Sequence, residues 1–277
     1  MAGHQNGSAA TGAPERSDPT AARTVVVITG ASRGLGRALT EHYLAAGAQV
    51  LAISRRAPSE LAGLAQGAGG ALNLIEGDLS LDAGIETVAA QIRAQLANLA
   101  LDARRDCILI NNAGAVDPVN VVDKLDDARA ITRAFCLNVT APIALTSAVL
   151  SQCGTTQTNC RILNISSGAG RNPTSGWTVY CATKAALDMA TRVLNAEGKS
   201  QSVRAVALAP GVLDTDMQHT LRSKEQADFP ARHRFVALHA DGKLSAPQHV
   251  AARIAHYLNQ ADFGATEIDD IRHYDKP

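Results

Sequence analysis

The chain has 277 residues, 46% of them apolar and 19% charged, which suits one globular α/β domain with a sizeable core and is too apolar for a disordered chain. Lys plus Arg equals Asp plus Glu at 26 each, a balance that calls for neither nucleic acid nor an anionic membrane as partner. No apolar run reaches the roughly 18–20 residues of a bilayer span, and the N-terminus has no charged-then-apolar signal pattern, so the expected location is the cytoplasm.

Residues 1–23 are rich in Gly, Ala, Ser and Pro without helical or strand period, and read as a flexible tail before a single domain over residues 24–277. From there short β-branched runs alternate with longer Ala/Leu-rich stretches. Thr24–Thr29 reads as a buried strand, Gly34–Ala46 as a helix stopped near Gly47, and Gln49–Ser54 as a second strand. Ala71–Glu76 is a weaker third strand, Ile85–Leu99 a helix, and Asp106–Ile110 a fourth strand. Helical stretches begin near Asp126 and Thr140. They are followed by strand Arg161–Ile165, helix Thr178–Ala196, strand Ser202–Leu208, helix Ala246–Asn259 and a last short strand near Ala265–Ile268. The polar stretch Asp214–Gly242 is a candidate lid. Such alternation implies right-handed crossovers and a Rossmann-type doubly wound parallel sheet, with ligands beyond the carboxyl ends of the strands. The five cysteines are odd in number, show no Cys-x-x-Cys and have no His cluster nearby. They read as reduced, mostly buried thiols, and no metal is expected.

The first strand runs into Gly30-Ala31-Ser32-Arg33-Gly34-Leu35-Gly36, whose glycines permit a tight turn and close approach to a pyrophosphate at a helix N-terminus. A cofactor's 2′ position is read at the end of the second strand, where Arg55 and Arg56 follow Ser54. Guanidinium groups there suit a 2′-phosphate, with Arg33 a further positive source, so NADP(H) is favoured over NAD(H). A solvated strand end is the plainer account of the two arginines. Tyr180 and Lys184 lie four residues apart and share a helix face, where an ammonium would lower the phenol's pKa for general acid work. That spacing is common by chance.

The Gly-x-x-x-Gly-x-Gly loop, Asn111-Asn112-Ala113-Gly114 after the fourth strand, Ser167 thirteen residues before Tyr180, and Tyr-x-x-x-Lys together resemble the short-chain dehydrogenase/reductase family, from about Thr24 to the C-terminus. The resemblance implies a catalytic set of Asn138, Ser167, Tyr180 and Lys184. Ser167 would orient the carbonyl, and the Asn138 side chain would hold a water that links Lys184 to solvent. It implies cofactor contacts from Asp78, Leu79, Asn112, Ala113, Gly114, Pro210, Gly211, Leu213 and Thr215. It also implies a homodimer or homotetramer.

The stretches Gly176–Met189 and Ala209–Met217, together with Ile268-Asp269-Asp270, are similar to the sepiapterin reductase branch, which shares a subgroup with reductases of 1,2-diketones such as benzil. That likeness implies substrate contacts from Ser167, Trp177, Tyr180 and Gly211, with Asp269 anchoring a pterin and Asp270 its alternative. A solvated C-terminal acid is the plainer account of Asp269. The implied activity is reduction of a ketone or vicinal dicarbonyl. A general carbonyl reductase, a 3-oxoacyl reductase and a non-catalytic NADP-binding protein remain alternatives.

Overall fold

The computed structural model describes residues 23–56, 59–64, 69–99, 101–156, 158–197 and 202–274. The N-terminal tail over residues 1–22 lies outside them. Among the described residues seven strands form one sheet in the order β3-β2-β1-β4-β5-β6-β7, every neighbouring pair parallel. The strands are β1 (Thr24–Thr29), β2 (Gln49–Ser54), β3 (Ala71–Glu76), β4 (Asp106–Asn111), β5 (Asn159–Ile165), β6 (Val203–Ala209) and β7 (Ile268–Asp270).

The helices are α1 (Gly34–Ala45), α2 (Ser59–Leu64), α3 (Asp82–Asn98), α4 (Ala128–Phe135), α5 (Ala141–Thr156), α6 (Thr178–Ala196), α7 (Asp216–Ser223), α8 (Arg232–Ala240) and α9 (Pro247–Leu258). Because helices cover both faces, the central strands are apolar throughout rather than alternating; Val25, Val26, Val27 and Ile28 are all fully buried. One core joins β-strand side chains to Leu39 and Leu44 of α1 and Ile254 and Leu258 of α9. The other joins the opposite face to Ile92 of α3 and Leu145 and Val149 of α5. Strand order reverses between β1 and β4, and the chain segments that leave these two strands border the crevice a ligand would use.

Three expectations are corrected. The last strand is Ile268–Asp270 rather than Ala265–Ile268, because the register that extends the sheet sets Ala207 against Ile268 and Ala209 against Asp270. The stretch Asp214–Gly242 contains two helices, α7 and α8, whose Leu221 and Phe235 are buried in a third apolar cluster. Residues Ala128–Gly154 run as one helical segment, α4 and α5 joined through a π turn at Cys136–Thr140. That segment is long and apolar enough to cross a membrane by length and composition, but nearly half of its most apolar stretch is buried inside this fold, as in a core helix.

Candidate active site

The Gly-rich loop is built so that no side chain fits where it bends. Gly30 and Gly34 have φ of +71° and +53°, the left-handed region that favours glycine. A Cβ at Gly36 would stand 2.2 Å from the Gly30 carbonyl oxygen, so the first turn of α1 lies directly on the loop. Thr29 ends β1 and fastens this loop to its neighbour: its hydroxyl accepts from the backbone N–H groups of Asn112 and Ala113 at 3.0 and 2.9 Å. Asn112 returns the contact by donating from Nδ2 to the Thr29 carbonyl at 2.9 Å. Thr215 closes the far side, 3.3 Å from where a Gly34 Cβ would be. These close backbone approaches fit a nucleotide pyrophosphate at the α1 N-terminus.

Arg55 and Arg56 are exposed just past β2, and Arg55 is near enough to help hold the Asp78 carboxyl low, mainly the work of the Ser80 hydroxyl. Leu79 is buried in the α3/α5 core. Arg33 does not stand free as a positive source; its Nη1 donates to Asp216 at the start of α7 at 2.8 Å. Both side chains are exposed, so the pair adds little stability.

Around the catalytic candidates, α6 supplies Tyr180 and Lys184 on one face, and both are buried. Lys184 donates from Nζ to the Ile165 carbonyl at 2.7 Å and lies 5.6 Å from the centroid of the Tyr180 ring. The expected lowering of the Tyr180 pKa is not met. Burial pushes it up to about 12, against a hydrogen bond with Ser167. Burial likewise brings Lys184 down to about 8, with Asp188 opposing. The physical reason is that the ammonium sits over the ring while desolvation acts on the whole phenol. Ser167 begins the turn after β5, its Oγ accepting from Ala169 N–H at 3.1 Å. Ser166, expected to support the strand end, donates to the buried Asp188, which also faces Arg171 at 3.4 Å.

Asn138 sits in the π turn between α4 and α5, 1% exposed. Its Oδ1 accepts from Ala115 N–H at 3.0 Å, while Nδ2 donates to the Ala115 carbonyl at 2.9 Å and to Thr183 Oγ1 at 3.1 Å. Both amide protons are committed, so the side chain clamps the segment after Gly114, and a water could meet only the second lone pair of Oδ1. A Cβ at Gly114 would lie 3.3 Å from Asn138 Oδ1 and 3.8 Å from Lys184 Nζ, which places that segment beside the ammonium.

Trp177 opens α6 and packs 4.9 Å from Tyr180, 5.3 Å from Phe229 and 5.2 Å from Phe235, centroid to centroid. The stretch expected as a lid thus lies over Trp177 and Tyr180. Ion pairs Lys224–Asp117 and Lys124–Asp228, each at 2.7 Å, tie it to the chain after β4. Its aromatic residues were missed in the sequence because neither falls in a motif.

Asp269, expected as the pterin anchor, is 3% exposed. Its carboxylate accepts from Tyr257 OH at 3.0 Å, Tyr274 OH at 2.6 Å and Asp270 N–H at 2.7 Å, and faces His273 Nδ1 at 3.2 Å. Those partners use its lone pairs within the chain, so it is corrected to a structural acid. Asp270 lies at the carboxyl end of β7, where it binds the Arg272 guanidinium through both oxygens at 2.8 and 2.6 Å. Arg272 Cγ is 3.8 Å from where a Gly211 Cβ would be, which sets this pair at the segment after β6. Asn111 was part of the motif after the fourth strand, but its partners Asn164 and Thr191 escaped the sequence reading. Asn111 donates to Asn164 Oδ1 at 2.8 Å across β4 and β5, and Asn164 passes on to Thr191 at 2.9 Å. The register pairing of Asn111 with Asn164, polar residues in otherwise apolar strands, was the available signal.

The chain matches the family model described as short chain dehydrogenase over residues 24–226. It is 37% identical over 245 residues to the benzil reductase ((S)-benzoin forming) of Bacillus cereus, covering 88% of this chain and 97% of that one. It is 36% identical over 232 residues to the sepiapterin reductase of Meriones unguiculatus, covering 79% and 85%. Among solved structures, the KRED1-Pglu enzyme superposes with a TM-score of 0.74 at 31% identity, covering 88% of this chain and 99% of that one.

Proposed function

The chain belongs to the short-chain dehydrogenase family and is an oxidoreductase of the CH–OH/C=O couple, and on that footing we propose that it is an NADPH-dependent reductase of vicinal dicarbonyls, with aromatic 1,2-diketones as its substrate class. The observation that carries the reading is the aromatic cluster in which Phe229 and Phe235 back Trp177, which itself packs against the Tyr180 ring. Aryl groups pair well with such a surface. The Trp177 indole N–H is buried and has no acceptor among the described residues, and a diketone's second carbonyl oxygen would supply one if it reached it. The benzil reductase likeness points the same way. A pterin is the second reading, favoured by the position of Asp270 beside Gly211; the commitment of both C-terminal carboxylates to partners within the chain weighs against it.

Residues 30–36, 112–114 and 210–215 would hold the cofactor, with Arg55 and Arg56 taking the 2′-phosphate that separates NADPH from NADH. When bound, the nicotinamide supplies the hydride. Tyr180, kept protonated by burial, gives its proton to the carbonyl oxygen. The Lys184 ammonium stabilises the phenolate that remains. Ser167 orients the carbonyl through its hydroxyl, and Asn138 is a positioning residue for the segment beside Lys184. A homodimer or homotetramer accords with the exposed apolar Ile143 on α5 and Met189 and Val193 on α6.

The test is NADPH consumption with benzil, sepiapterin and a β-ketoacyl thioester. Benzil is expected to be turned over fastest. Tyr180→Phe, which keeps the buried ring, is expected to lose at least about a hundredfold in kcat with an unchanged circular dichroism spectrum. A Tyr180→Phe enzyme at full rate refutes the assignment. Preference for the thioester moves the enzyme to 3-oxoacyl chemistry, and no turnover of any carbonyl leaves a nucleotide-binding protein.

A further inference from the structure

Away from the catalytic edge, three of the five cysteines meet. Cys107 near the start of β4 and Cys160 near the start of β5 are direct register partners, and Cys153 comes down on them from the last turns of α5. Their sulfur atoms all lie within 4.8 Å of one another, and each residue is at most 1% exposed. Nothing in the chemistry above uses them. Cys107 is five residues before Asn112, so the cluster sits about 16 Å from the crevice along the strand direction.

We propose that Cys107, Cys153 and Cys160 form a buried trithiol site that binds one trivalent arsenic centre. The spacing fits. A centre about 2.3 Å from each of three thiolates, the Zn–S distance, and pyramidal because trivalent arsenic keeps a lone pair, sets the sulfurs about 3.5 Å apart, so the three need close in by no more than about 1.3 Å. Coordination number and charge then select the ligand. Among the described residues no His or carboxylate joins the group, so a tetrahedral zinc ion lacks a fourth protein ligand.

The surroundings are the apolar α3/α5 core, and the nearby cation Arg161 is already paired with Asp106 at 3.2 Å. A tris-thiolate complex of a monovalent or divalent metal carries net negative charge, and burying that without a free counter-charge is costly. Trivalent arsenic with three thiolates is neutral. In the reaction, arsenous acid loses its three hydroxyls and the three thiols lose their protons. Three As–S bonds form, three waters leave, and neither arsenic nor sulfur changes oxidation state. Entry requires the packed core to open, so binding is slow, and it stabilises the fold by mass action while leaving the catalytic edge intact.

The experiment incubates the native full-length protein with arsenite, removes excess, and reads three things: arsenic per chain, intact mass, and which cysteines resist alkylation. One arsenic per chain is expected, with a mass gain of one arsenic less three hydrogens. When the washed protein is alkylated in denaturant, Cys107, Cys153 and Cys160 should be protected only after arsenite treatment while Cys136 and Cys181 are alkylated with or without it, and the Tm of the native protein should rise with arsenite concentration. Cys153→Ala is expected to lose the arsenic and the Tm rise. Because the protection pattern is read on the wild-type chain, the proposal stays testable even where that variant folds poorly. No uptake by the native protein, protection of only two thiols, or an adduct on Cys136 or Cys181 overturns it.

Discussion

Asn138→Ala removes a side chain whose loss is felt in two places at once. The residue is 1% exposed and makes three hydrogen bonds, two to Ala115 and one to Thr183. Deleting it leaves the Ala115 N–H without its acceptor, and a buried polar group stranded in this way costs about 1–3 kcal/mol, with the lost bonds to Ala115 O and Thr183 adding about 1 kcal/mol. A destabilisation of roughly 2–4 kcal/mol follows, or a Tm lower by roughly 5–15 °C in a domain of this size. The same bonds clamp the segment next to Gly114, beside Lys184. The variant is therefore expected to lose kcat while the KM for the diketone changes little, because the side chain does not touch the substrate. Asn138→Asp separates the contributions: it keeps an acceptor for Ala115 N–H but loses both donors, so it recovers part of the stability. Urea unfolding followed by circular dichroism measures the first effect, and steady-state kinetics the second. An Asn138→Ala enzyme with unchanged Tm and kcat refutes the clamp.

The double variant Arg55→Ala/Arg56→Ala is expected to raise the KM for NADPH at least about tenfold, the loss of one or two charge-assisted contacts, and to leave that for NADH nearly unchanged; equal effects on the two refute the 2′-phosphate assignment. Lys184 has its pKa lowered from 10.5 to about 8 by burial, so kcat/KM for carbonyl reduction is expected to fall as pH rises through about 8, when the ammonium is lost. Between about 8 and 10.5 the unfolded chain binds the extra proton, so this group makes stability rise with pH across that window. A rate profile flat from pH 6 to about 10 removes Lys184 from the chemistry. Asp269→Ala strands the Tyr257 and Tyr274 hydroxyls and is expected to cost about 2–4 kcal/mol of stability while leaving the substrate KM in place; a KM rise at unchanged Tm restores Asp269 as a substrate anchor.

How much of this was legible in the chain depends on the kind of constraint. The strands β1, β2 and β3 match their expected bounds, and so does α6, because each is an apolar or amphipathic run bounded by turn residues. The short β7 was misplaced by three residues because a three-residue strand has too little pattern of its own, and its register is set by β6. The helices α7 and α8 were read as a polar lid because their apolar residues are few; Phe229 and Phe235 acquire meaning only against Trp177.

Sequence by itself determined the order of elements, the glycines where no side chain fits, and the spacing that brings Ser167, Tyr180 and Lys184 to one strand edge, since these follow from local backbone chemistry and motif offsets. Only the tertiary structure decided which polar groups are already spoken for. Asp269 looked free until Tyr257 and Tyr274 closed on it, and Asn138 looked free until Ala115 did. Cys107, Cys153 and Cys160 looked like separate core residues until two strands and a helix brought their sulfurs together. The balance at Tyr180 was decided in the same way. Its pKa depends on how completely the pocket excludes water, a sum over side chains far apart in the chain, whereas the four-residue spacing to Lys184 showed only that a cation would be near.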